Sequence, residues 1–92
     1  MRWIRPARAS RLVQVSLNGA LRSAAGGVGS VEIEALTIRE LLTKLVERYP
    51  DMADELDRGI AVAIDGVVYR DDWTQRIPES AEIFLMPRIA GG

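Results

Sequence analysis

Apolar and polar residues alternate over residues 11–18, with Val13, Val15 and Leu17 on one side and Gln14, Ser16 and Asn18 on the other. A period of two predicts a half-buried strand. The pattern returns over 30–35, where Val31, Ile33 and Ala35 alternate with Glu32 and Glu34. Between them, residues 19–29 form a connection holding Leu21, Ala24 and Ala25, followed by Gly26, Gly27, Val28 and Gly29. The two strands are expected to pair as a hairpin, with the glycines supplying backbone angles that other residues resist.

The period then changes. Ile38, Leu41, Leu42, Leu45, Val46 and Tyr49 recur at steps of three and four, so one apolar stripe runs along a helix. Arg39, Lys44, Glu47 and Arg48 take the other side, and Glu40 and Lys44 are spaced for an i,i+4 pair. Thr37 and Glu40 have capping-box spacing: the Thr37 hydroxyl is placed to accept the Glu40 amide, and the Glu40 carboxylate to reach back to the cap amide. Pro50 ends the helix. Residues 51–58 read as a second, short helix capped by Asp51, with Met52, Ala53 and Leu56 packed inward and Gly59 ending it.

Three more strands follow. In residues 60–64, Ile60, Val62 and Ile64 face one way and the small Ala61 and Ala63 the other. Asp65-Gly66 is a two-residue hairpin signal before residues 67–69. Residues 70–80 are a polar connection in which Trp73 is expected to cover an edge of the core. The last strand spans 81–86, with Ile83 and Leu85 on one face and Phe84 and Met86 on the other. One helix covers one face of the sheet. The other face then carries Phe84 and Met86 among Ala61, Ala63 and Val68, an apolar patch with a polar rim that reads as a partner-docking surface. Cover by the short helix or a loop is the alternative.

Composition narrows the chemistry. At 92 residues the chain is expected to be one domain. It has no cysteine and no histidine. Disulfides, thiolate chemistry and cysteine metal sites are excluded, and so are the commonest general base and any serine–histidine pair. A chain with neither residue is a poor candidate for a self-contained enzyme. No apolar run approaches the roughly 18 residues of a membrane helix, and a cytoplasmic location is expected.

The basic residues up to Val31 are all arginine, and every acidic residue lies at or beyond Glu32. Residues 1–10 read as a flexible basic arm with no secretory signal; arginines on such an arm do not indicate a nucleic-acid or membrane partner. The glycine-rich stretch lacks the Gly-Lys-Ser/Thr of a phosphate loop. Asp71 and Asp72 are adjacent carboxylates with no third ligand, so they read as a solvated turn rather than a metal site.

The chain's end stands out against this background. The last strand stops at Pro87, and Arg88, Ile89, Ala90, Gly91 and Gly92 follow. With glycine near about 7% of residues, two terminal glycines arise by chance about once in 200 chains. Six residues from Pro87 extend roughly 20 Å, enough to enter another protein's active site. Lacking Cβ atoms, Gly91 and Gly92 fit a narrow channel. A terminal carboxylate is unreactive until activated, and a partner with ATP would adenylate it. The chain thus divides into an arm (1–10), a domain (11–86) and a tail (87–92).

The element order, the stretch Ile60-Ala61-Val62-Ala63-Ile64-Asp65-Gly66 and the ending Ile83-Phe84-Leu85-Met86-Pro87-Arg88-Ile89-Ala90-Gly91-Gly92 resemble the MoaD/ThiS family of sulfur-carrier proteins. The resemblance implies an α+β, ubiquitin-like β-grasp fold: a mixed sheet of about five strands on one main helix plus a short one, with the first and last strands adjacent and parallel. It implies that an E1-like enzyme adenylates Gly92, which becomes a thiocarboxylate and donates its sulfur in cofactor biosynthesis. It further implies that no cofactor is bound permanently and that ATP is used by the activating partner. Length and residues 51–58 look most like the molybdopterin synthase small subunit, whose tail inserts into a large subunit. Arg88 departs from that branch, where a small residue is common beside the proline, and thiamin and cysteine pathways stay open. A ubiquitin-like modifier conjugated through Gly92 and a β-grasp interaction domain with an inert tail are the alternatives.

Overall fold

A computed structural model describes residues 12–88. The basic arm, Arg11 and residues 89–92 lie outside the described residues, so the expectations for Ile89, Ala90, Gly91 and Gly92 are not addressed by the coordinates. Five strands and three helices are present among the described residues. They are β1 (Leu12–Leu17), α1 (Ala20–Ala24), β2 (Ser30–Glu34), α2 (Ile38–Arg48), α3 (Met52–Arg58), β3 (Ile60–Ile64), β4 (Val67–Tyr69) and β5 (Glu82–Pro87).

The strands form one mixed sheet in the order β2-β1-β5-β3-β4. β1 pairs antiparallel with β2 and parallel with β5, and β5 pairs antiparallel with β3. The first and last strands are thus adjacent and parallel, as the resemblance implies. The hairpin at Asp65-Gly66 is also present, joining Ile64 to Val67. The last strand therefore sits at the centre of the sheet, and its C-terminal end is the root of the tail.

The inward sets are those the alternation predicts. Val13, Val15, Leu17, Val31, Ile33, Ile60, Val62, Ile64, Ile83 and Leu85 are buried in one core with Ile38, Leu41, Leu42 and Leu45 of α2. Val46 and Tyr49, at the edge of the helix stripe, are half-buried against it, and Trp73 covers a core edge as expected. The apolar stripe is what holds α2 on the sheet, since an isolated helix of this length is marginal in water.

The α2 N-terminus is tied down from two directions. The Glu40 amide donates to Thr37 Oγ1 at 3.2 Å, as the capping box requires. The Glu40 carboxylate reaches back one residue further than expected, accepting the Leu36 amide at 2.7 Å rather than that of Thr37. The polar connection takes up two more orphan amides, with Ile38 donating to the Gln75 carbonyl and Arg39 to that of Trp73. The Leu36 amide is the main cause that holds the Glu40 carboxyl below its ordinary range; desolvation opposes it and the Lys44 charge adds to it. Glu40 therefore contributes stability that is present above the ordinary carboxylate pKa and is lost as pH falls through the lowered folded value. In Glu40→Gln that component is expected to vanish. Urea midpoints of wild type and variant should differ near neutrality and converge in acid.

β2 is an edge strand, but the carbonyls of its glutamates are covered. Lys44 Nζ donates to the Glu34 carbonyl at 2.5 Å and Arg48 Nη1 to that of Glu32 at 3.3 Å. The two basic side chains of α2 thus occupy acceptors that a foreign strand would need.

Three expectations are corrected. The 19–29 connection is not only a loop: it contains α1, whose Leu21 is fully buried and which packs beside α3 and β5. Asp51 does not cap α3 with its side chain, because its own backbone is already helical at φ −65° and ψ −15°. Within α3, Met52 is buried and Leu56 packs on the core, but Ala53 is exposed on the opposite side.

Candidate functional site

β5 begins and ends one residue later than the alternation predicts. Pro87 is still in register with Ile60 of β3, and the Arg88 amide donates to the Gly59 carbonyl at 3.1 Å. Proline closes a strand well because it has no amide to leave unpaired. Two of the six residues assigned to the tail are therefore fastened to the sheet.

Two glycines shape that root. Gly19, just before α1, has φ +60°, and a Cβ built on it would lie 3.5 Å from Pro87 Cγ. Gly59, between α3 and β3, has φ +107°, and its Cβ would lie 3.6 Å from Arg88 Cδ. Both backbone conformations are ones that L side chains rarely adopt. The Arg88 stem passes close to Gly59, and its guanidinium reaches Asp71, with Nη1 3.8 Å from Oδ1. Sequence reasoning missed this set. Gly59 read only as a helix terminator, Gly19 as part of a connection, and Asp71 as half of a solvated pair. Asp72 does form a local turn, accepting the Thr74 amide and hydroxyl. No group of three or more histidine, cysteine, aspartate or glutamate side chains is placed to hold a metal among the described residues.

The second feature is the sheet face opposite the helices. Phe84 stands opposite Ser16 on one side and Ala63 on the other, and Met86 stands opposite Ala61. Val68 of β4 lies beside Ala63. Phe84 is 41% exposed and Val68 48%, whereas Ala61 and Ala63 are screened to 7% by their larger neighbours. Met86 is half-buried. The three helices pack on the other face, so the apolar set singled out from sequence is brought together and left open. Gln14 on β1, Glu32 on β2 and Glu82 at the start of β5 are exposed, giving the patch a polar border. It runs down β5 toward the root of the tail.

No helix among the described residues is long and apolar enough to cross a membrane.

Comparisons with known proteins bear on this geometry. The sequence has no match among curated proteins. A protein described as molybdopterin converting factor subunit 1 from Pyrococcus furiosus superposes with a TM-score of 0.73 at 21% identity, over 87% of this chain and 100% of that one. Small archaeal modifier protein 1 (SAMP1) from Methanosarcina acetivorans gives 0.68 at 23% identity, over 88% and 96%. CysO from Mycobacterium tuberculosis gives 0.70 at 18% identity, over 84% and 99%. At these identities the likeness is one of fold, and it places the mixed sheet and its helices in the ubiquitin-like β-grasp class. The ThiS family model matches residues 15–92, from the middle of β1 through both terminal glycines, and the chain belongs to the ThiS family.

Proposed function

We propose that this protein is a sulfur carrier whose reactive atom is the carboxyl carbon of Gly92. The observation that carries the reading is that the family match runs through Gly92 while the strand that leads to it is the central one of the sheet. In this account an E1-like enzyme joins the Gly92 carboxylate to the α-phosphorus of ATP and releases pyrophosphate. A hydrosulfide ion then attacks the mixed anhydride. The C–S bond forms, the C–O bond to AMP breaks, and a thiocarboxylate remains. Transfer of that sulfur to an acceptor, with water supplying the oxygen, regenerates the carboxylate. ATP, metal and acid–base groups belong to the partner, which suits a chain without cysteine or histidine. The protein acts as a co-substrate.

Molybdopterin synthesis is the pathway the reading favours, supported by the likeness to the Pyrococcus protein and by the segment that forms α3. Thiamin and cysteine synthesis are the other sulfur acceptors it admits. Residues 1–10 are an arm, residues 11–88 the body and residues 89–92 the delivery tail, acting in the cytoplasm. Residues 89–92 enter the active site of the partner, the activating enzyme first and then a large synthase subunit or another acceptor enzyme. The Phe84 and Met86 face docks on that partner. Aromatic residues in such a patch are frequent binding hot spots. Phe84→Ala is expected to weaken binding to the activating enzyme by about tenfold or more while leaving the fold intact, as measured by titration calorimetry and thermal unfolding.

The reading is tested by ATP–pyrophosphate exchange with the activating enzyme. Exchange that depends on this chain and on an intact Gly92 is expected; exchange indifferent to Gly92 overturns it. The fold of a small archaeal modifier motivates the second reading, attachment of Gly92 to target lysines. Thiol-stable, higher-mass adducts in extracts would favour it.

A further inference from the structure

Three contacts converge on Arg88 from different parts of the chain. Its amide is bonded to the Gly59 carbonyl at 3.1 Å. Its stem packs where Gly59 has no side chain, 3.6 Å from the Cβ position. Its guanidinium lies 3.8 Å from Asp71, beyond the end of β4. β5, the α3–β3 junction and the loop after β4 are therefore strapped together at the point where the described chain ends. Arg88 is 44% exposed and Asp71 91% exposed, and an exposed pair of this kind adds little to stability.

We propose that Arg88 is a positioning residue for the tail, and that Asp71 and Gly59 are the two points against which it is set. The strap limits swinging of the backbone about the Pro87–Arg88 junction, the point from which the tail continues. A restraint of this kind lowers the ordering cost of inserting a short segment into a partner's channel. The functional half of the proposal rests on the sulfur-carrier reading; the strap itself does not.

The test uses the full-length chain and the variants Asp71→Asn, Arg88→Gln and the double variant. In Asp71→Asn, hydrogen exchange at the Arg88 amide is expected to accelerate about two- to fivefold, the range open to an exposed pair. The Leu17 amide, which donates to the Gly29 carbonyl at 2.9 Å, serves as an internal control and should not change. In adenylation assays KM for the chain is expected to rise by a similar factor with kcat unchanged. The double variant should be no worse than Arg88→Gln, because Asp71 acts through Arg88. Unchanged Arg88 exchange, unchanged KM, or additive losses would each overturn the proposal. A wild-type chain that is never adenylated counts against the carrier reading instead, and the Arg88 exchange rates then decide the strap.

Discussion

Deleting Gly92 is expected to lower thiocarboxylate formation by at least about 100-fold and to leave the melting temperature where it was. An extended residue spans roughly 3.5 Å, so the deletion withdraws the carboxylate by that much. Misplacing a reacting group by about 1 Å can cost about 100-fold. Gly91 still ends in a carboxylate of the same intrinsic reactivity, so the loss isolates position from chemistry. The stability half follows from where the core lies. Among the described residues, its buried members run from Val13 to Leu85. Intact-mass measurement of the product and thermal unfolding of the same sample check the two halves together. A deletion variant that forms thiocarboxylate at the wild-type rate would show that reach does not matter.

Leu45→Ala is expected to have the largest effect on stability. Leu45 lies on the apolar stripe of α2 and is fully buried. Truncating a buried leucine costs about 2–5 kcal/mol, through lost transfer energy and the cavity left behind. A small domain has only about 5–15 kcal/mol in all. At roughly 4–8 °C per kcal/mol for this size, the midpoint should fall by at least about 8 °C. Glu47→Ala, on the exposed side of the same helix, should move it by no more than about 4 °C. Equal shifts in the two variants would mean that the stripe is not what fastens α2 to the sheet.

The parts of the fold legible in the sequence are those with a strong period. α2 repeats its apolar residues over three turns, starts at Thr37 and Glu40, and ends before Pro50, so three independent signals agree. β1, β2 and β5 alternate cleanly because one face meets the helices and the other does not. β3 is the exception: all five of its residues are buried, yet its Ile-Ala-Val-Ala-Ile order still separates large inward from small outward positions. Asp65-Gly66 joins its strands as expected because the turn's backbone needs are local.

α1 was hidden for a physical reason. Five residues are little more than one turn, too short for a period to show, and glycines flank the stretch. Leu21 and Ala25, four apart and both buried, were the available signal. Asp51 had the right chemistry for a cap but not the extended backbone that a cap requires. The tail itself was legible as composition, and Phe84 with Met86 as alternation. Its root was not. Gly19, Gly59 and Asp71 meet Pro87 and Arg88 only because the sheet brings the starts of α1 and β3 and the end of β4 beside the end of β5. No spacing rule links residues that far apart.

The most direct measurement of the central claim is the intact mass of the full chain after incubation with its activating enzyme, ATP and a sulfide source. The expected product carries one sulfur in place of one oxygen, with the change confined to the C-terminal peptide ending at Gly92. A chain that is adenylated yet gains no sulfur there, or that ends in stable bonds to protein lysines instead, would contradict it.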